Sequence, residues 1–214
     1  MASTLVHVAV AGLLAAALLG ESFDRESVLF VLAATAAIDL DAFVGVYLQG
    51  AHRAAFHTVL LPTVLGVLAY YDLRRESSLL LGWRADAGRV VAVGLLAVAA
   101  AGIGLDMVIN GVNVFYPVHD QFYTVDGKLL VSDRRGVVQT FVDLQPKTPT
   151  DGTQPSPKTT NNTHYSTGVD PTGGSEQTDV ERKFWVVGSG ERLLLTVVGY
   201  GALAARFVES RSSR

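Results

Sequence analysis

Residues Val91–Gly104 read VAVGLLAVAAAGIG, and the run from Val90 to Leu105 contains no charged or hydroxyl-bearing side chain. A helix packed on a soluble core shows a polar face at helical period. This one shows none, so its surroundings must be apolar on every side. Its small residues suit helices that approach one another closely in lipid. The run ends in GIGLDMVINGVNVFYP (Gly102–Pro117), which introduces Asp106 and Asn110.

Four further apolar segments lie outward from it: Thr4–Gly20, Ser27–Ile38, His57–Tyr71 and Trp185–Val208. A full crossing takes about 20 apolar residues. Arg89–Leu105 and Trp185–Val208 are the firmest spans, while Ser27–Ile38 is short enough to be half-buried or re-entrant. The whole chain is 49% hydrophobic and 17% charged, against about 25% charged in soluble domains. The expected fold is an all-α membrane helical bundle of about five membrane helices, with a small external β-hairpin and a disordered loop.

The expected organisation has four parts. Residues 1–120 form a membrane-embedded domain. Residues 121–144 form a β-hairpin, because FYTVDGKLLVSDRRGVVQTFVDL alternates apolar and polar residues around Asp126-Gly127 and Arg135-Gly136. Residues 145–182, rich in Thr, Pro, Gly, Asn and Ser, read as a disordered linker. Residues 183–214 form a last membrane helix and a basic tail. The N-terminus lacks the basic and small-residue features of a cleaved signal, so the first apolar segment reads as a retained helix. Arg74, Arg75, Arg84 and Arg89 share one loop, and Arg206, Arg211 and Arg214 the tail. The excess of positive charge in cytoplasmic loops puts both inside and the 110–184 region outside. The expected location is the plasma membrane, with several passes and a cytoplasmic C-terminus.

A net charge of −3 gives no nucleic-acid footprint, and the absence of cysteine removes disulfides and thiolate ligands. Any metal must be held by nitrogen and oxygen donors. Up-and-down threading brings His7, Asp39, Asp41, His52, His57 and Asp106 to one membrane face. Ionisable groups in such a place are costly and mark function by default. Asp106 and Asn110, four apart, share a helix face. Asp39 and Asp41 oppose each other on a helix but can converge in a turn. His52 and His57, five apart, cannot both aim from one helix, so one comes from a loop and one from a first helical turn. This spacing differs from the HExxH of zinc peptidases. Taken singly, each residue has an ordinary structural role available; taken together, they point to a divalent-metal site at the outer face. A non-catalytic membrane scaffold with a polar cluster is the alternative. A transporter would instead place polar residues at mid-membrane in broken helices.

At these residues the sequence resembles the YdjM-like family of inner-membrane metal-dependent hydrolases, whose pattern is an N-terminal His, then PDxDH, HRGxTHS and DxxTxxGVxxxxP. The matching positions are His7, Ile38–Ala42, His52–Thr58 and Asp106–Pro117. Ile38 and Ala42 replace the Pro and His flanking the acidic pair, Phe56 and Thr58 replace Thr and Ser, and Asn110 replaces a Thr. The resemblance implies a membrane-bound hydrolase. The family is distantly similar to zinc phospholipase C and P1-type nuclease folds, an analogy at the level of fold. That implies zinc as the cation and a phosphoester or lipid-like substrate attacked by metal-activated water. It further implies Asp39 or Asp41 as bridging ligand or base, and Arg53 as a grip on a phosphate oxygen. The partners are then membrane lipid and a small-molecule or lipid substrate.

Overall fold

The computed structural model describes residues 3–141, 157–172 and 179–212. Eight helices and one hairpin are present among them: α1 (Thr4–Leu18), α2 (Arg25–Ala37), α3 (Asp41–Gly45), α4 (Leu60–Leu73), α5 (Leu79–Trp83), α6 (Ala87–Ala97), α7 (Leu105–Ile109), β1 (Leu129–Ser132), β2 (Gly136–Gln139) and α8 (Gly190–Ser212). Three continuous helical stretches are long and apolar enough to cross a membrane: Arg25–Gly45, Ala87–Ile109 and Gly190–Ser212. The expected five crossings are therefore not all present at full length. At about 1.5 Å per residue, α1 reaches about 22 Å, short of a hydrocarbon core of about 30 Å; α4, at 14 residues, is shorter still.

The first of these stretches corrects the short Ser27–Ile38 segment. A turn of 3₁₀-helix, Ile38–Leu40, carries α2 straight into α3 without a break, making 21 residues. The second contains a different irregularity. Val98–Gly104, between α6 and α7, is wound as π-helix, and its sequence is AAAGIG after Val98. Such segments occur often at functional sites.

Packing follows the small residues. A Cβ added to Gly199 of α8 would lie 2.2 Å from the Ala9 carbonyl oxygen of α1, and one added to Gly12 of α1 would lie 3.1 Å from Leu203 of α8. The two backbones touch because no side chain intervenes. α8 is thus part of the same bundle as α1. Gly199→Ala is expected to destabilise the protein by about 2 kcal/mol, the usual cost of overpacking, since backbone cannot yield as a flexible side chain does. Detergent-unfolding curves check this, and bound metal should fall with stability because His7 stands two residues before Ala9.

The two ends of the bundle differ. At one end Asp24 caps α2 by accepting from the Ser27 amide (2.8 Å) and pairs with Arg84 at 2.8 Å. The Arg84 guanidinium also holds the Asp86 carboxyl down at about 2. At the other end gather His7, the 38–58 segment, the end of α7 and residues 157–172. The hairpin pairs Leu129 with Gln139 and Ser132 with Gly136 in antiparallel register, within the expected 121–144 interval.

Residues 157–172 correct the expected disordered linker over part of its length. They form an irregular strap docked on the bundle. Thr160 donates from its hydroxyl (2.7 Å) and its amide (3.0 Å) to Asp120, and Tyr165 donates to the Asn110 carbonyl (2.8 Å). Gly50, at φ +71°, leaves room for the Thr160 backbone, which a Cβ would meet at 2.2 Å. Polar composition misleads here because the strap is held by hydrogen bonds to single carboxylate and carbonyl groups rather than by an apolar face. Burial raises the Asp120 carboxyl, but the Thr160 and Asn113 donors outweigh it and hold it below the usual range. The rest of the 145–179 stretch, residues 145–156 and 173–178, lies outside the described residues.

Candidate metal centre

His7 lies one turn into α1, fully buried, in a helix otherwise without a charged group. Asp39 sits in the 3₁₀ turn and Asp41 opens α3. His52, Arg53 and His57 all belong to the irregular 49–58 segment, so His57 precedes α4 rather than lying in its first turn. That segment is pinned to the strand-like run after α7. Val114 O accepts from the Val59 amide and the Thr58 hydroxyl, and Arg53 O accepts from the Asn113 amide, each at 2.9 Å. Asp106 comes from α7, just past the π-helical turn.

The structure brings five of the six expected ligands around one imidazole. His57 Nδ1 is 2.7 Å from Asp41 Oδ2, while its Nε2 faces Asp39 Oδ1 at 3.4 Å and Asp106 Oδ2 at 3.5 Å. His7 Nδ1 stands 3.4 Å from Asp39 Oδ2, and its Nε2 stands 3.4 Å from Asp106 Oδ1. Asp39 and Asp41 therefore do not converge, as expected from a turn; they sit on opposite sides of the His57 ring. His52, the sixth, makes its contact with Asp41 behind that imidazole rather than with the oxygens facing Nε2.

These distances separate two kinds of group. Asp41 is saturated: Oδ1 accepts from His52 Nδ1 at 2.8 Å, and Oδ2 meets His57 Nδ1 and the Arg53 amide, the last at 3.0 Å. With both oxygens engaged, Asp41 is placed to orient the two histidines. It fixes the proton on His57 Nδ1 and turns Nε2 inward, as carboxylates behind metal-binding histidines do. His52 is likewise committed to Asp41 through Nδ1. Arg53, also fully buried, donates to Asp106 Oδ1 at 2.9 Å and lies over the Tyr165 ring at 4.9 Å. It is not among the residues lining the adjacent cavity, and its guanidinium is engaged by Asp106. Its φ of +64°, unusual outside glycine, is held by the Asp41 and Asn113 contacts on either side.

The second kind of group is unsatisfied. Both His7 nitrogens, His57 Nε2 and Asp39 Oδ2 are buried with no hydrogen-bond partner among the described residues. Leaving such atoms bare is costly. Four separations of 3.4–3.5 Å are too long for good hydrogen bonds. Those at His57 Nε2 and at His7 Nδ1 match the spacing of atoms sharing one ion, since two ligands each about 2.1 Å from a tetrahedral centre are about 3.4 Å apart; His7 Nε2, on the far side of its ring, faces Asp106 Oδ1 separately. His7, Asp39 and His57 offer ligand atoms mutually within 4.8 Å. Asp106, aimed by Arg53, adds an oxygen beside them. The donor set is nitrogen and carboxylate oxygen, a set that could hold a metal ion.

The chain matches no protein-family model, no curated protein and no solved structure. The chemistry must accordingly be read from the residues themselves.

A cavity of about 210 Å³ opens onto this cluster, with Asp39, Asp106 and His52 among its lining residues and Thr167–Val169 of the strap and Phe184, Trp185 and Lys183 around it. Lys183 supplies the one ammonium among them, paired with Glu181 at 2.9 Å. Sequence reasoning missed Tyr165, the strap and Lys183. The available signal was the pair of ring-bearing side chains His164 and Tyr165, unusual in a stretch otherwise built of small polar residues. Asn110 contributes its backbone carbonyl to Tyr165.

Proposed function

We propose that this protein is a membrane-bound, metal-dependent hydrolase acting on a phosphoester. The observation that carries the reading is the set of bare, buried nitrogens of His7 and His57 facing Asp39 and Asp106 oxygens at ion-sharing distance. The ordered resemblance to YdjM-like hydrolases, on His7, Asp39, Asp41, His52, His57 and Asp106, supports the same reading. So does the cavity, which gives a small anionic group access to the cluster.

His7, Asp39 and His57 hold a divalent cation, zinc by donor type, with Asp106 at its edge. When bound, the cation polarises a phosphoryl oxygen and makes water a competent nucleophile near neutral pH. Hydrolysis joins the oxygen of water to phosphorus, breaks one P–O ester bond, and passes the proton of water to the departing alcohol. Asp106 Oδ2 is placed to carry that proton. Arg53 keeps the other Asp106 oxygen occupied and so fixes the carboxylate's direction. Lys183 at the cavity wall attracts the anionic group. We place the protein in the plasma membrane, with about five helices embedded, the metal centre outward and the arginine-bearing tail inward, on the distribution of positive charge.

Metal uptake tests the reading. Burial alone would lower the His57 imidazole, but the Asp41 charge and the Asp39 contact outweigh it and push it up to about 10 in the metal-free protein. The stabilisation from that proton is full below its ordinary 6.5 and is lost as pH rises through about 10. A cation held by His7 and His57 must displace their protons, so binding should release protons at pH 7 and weaken as pH falls. Titration calorimetry of chelator-stripped protein with zinc, in two buffers of different ionisation enthalpy, measures this. Hydrolysis of a generic phosphodiester should disappear on stripping and return on reloading. A wild type that takes up no stoichiometric metal is instead a scaffold with a structural polar cluster.

A further inference from the structure

A second cavity, about 710 Å³, runs between α2, α4 and α6. It exists because Ala34, Ala37 and Gly94 stand where the three helices meet; a Cβ on Gly94 would already lie 2.8 Å from Phe30 Cε1. Its walls are apolar apart from Asp72 at one end. The opposite end is formed by Ile38, Leu40 and Phe56, which are the chain neighbours of Asp39, Asp41 and His57. The groove follows α4 from Leu61 to Asp72, about 17 Å of helix.

Two of its walls belong to the membrane-length stretches Arg25–Gly45 and Ala87–Ile109. An apolar gap at that depth is filled by hydrocarbon, because water and unpaired peptide groups are excluded there. A single extended chain fits such a groove, and its volume falls in the usual range for ligand pockets, about 300–1,000 Å³.

We propose that this groove is the acyl-chain site for a bilayer phospholipid, with one chain lying along α4 and the polar head at the Leu40–Phe56 end, beside the metal centre. The substrate class is then a lipid phosphoester delivered sideways from the membrane. The head's fate rests on the hydrolase reading; the chain's position does not.

Photolabelling separates the two. The full chain is placed in nanodiscs containing a phospholipid with a diazirine in its acyl chain, irradiated, and its adducts mapped. Adducts are expected to concentrate in residues 61–69 and 91–98. Ala37, exposed on α2, points to the test variant: Ala37→Phe fills the groove without displacing a neighbour. It should remove most of those adducts, because the ring occupies the space the labelled chain would take. Ala69→Phe fills it from α4 and serves as the second variant. The same samples are assayed for the ratio of long-chain to short-chain phosphodiester hydrolysis, which should fall in both variants. Adducts as heavy on the exposed α8 residues Leu194 and Val197 as in the groove, or unchanged by both variants, overturn the proposal. Groove adducts with no hydrolysis of either substrate retire the hydrolase reading and leave the lipid site standing. A turnover ratio unaffected by groove filling overturns the assignment of the bound chain as substrate.

Discussion

Asp39→Asn is expected to lose bound metal and phosphodiester turnover together, while its metal-free form still folds and loses less stability than Asp41→Asn does. The substitution keeps the side chain's size and removes its charge. Asp39 faces both His7 and His57 at 3.4 Å, so its loss strips an anionic ligand from the only triplet of ligand atoms mutually within 4.8 Å among the described residues. Altering a group that merely supports a ligand costs about 10–100-fold in affinity; removing a ligand charge should cost at least about 100-fold. Folding is spared because the apolar packing of α1, α2, α6 and α8 around residues such as Val31, Val90 and Leu203 does not involve this carboxylate. Elemental analysis and an unfolding curve on the same preparation decide it. Metal kept at wild-type level in the variant would remove Asp39 from the centre.

Asp41→Asn should fail in the reverse order. Asp41 meets three donors, on His52, His57 and the Arg53 backbone. An asparagine offers one acceptor oxygen and presents N–H groups where a second acceptor is needed. Removing one partner from a buried charged pair costs about 3–5 kcal/mol, so the metal-free variant should unfold well before wild type. Saturating metal should recover part of the difference, since a cation bound by His7, Asp39 and His57 stabilises the folded state by mass action. The two neighbouring carboxylates thus separate by assay: Asp39 governs metal before stability, Asp41 stability before metal. Equal effects of both substitutions on both measurements would contradict the roles assigned to them.

The contrast also marks how far the sequence could be read. The apolar runs were legible because lipid burial leaves an unbroken signature, and the convergence of His7, His57 and Asp106 followed from threading alone. The division of labour between Asp39 and Asp41 was not legible, since it depends on a 3₁₀ turn that puts the His57 ring between them. Arg53 was legible only as a phosphate grip implied by the resemblance, and nothing in the sequence marked the Asp106 carboxylate and the Tyr165 ring that hold it inside. Tyr165 itself arrives from a strap whose composition resembles a linker, and composition carries no record of the Asp120 and Asn110 groups that tie it down. The shortness of α1 and α4 was visible only once their ends were fixed.

The π-helical turn between α6 and α7 has a consequence for how the centre tolerates change in length. Each residue added to or removed from a helix turns everything beyond it by about 100° and shifts it by about 1.5 Å. Val98–Gly104 accommodates surplus residue by widening the coil, so the phase of Asp106 relative to Val90 and Val93 is set by that widening. Deleting Ala100 should let the backbone relax to an ordinary α-helix of nearly the same length. The apolar span would survive, and Asp106 would rotate out of the ring of His7 and His57 without any ligand having been altered.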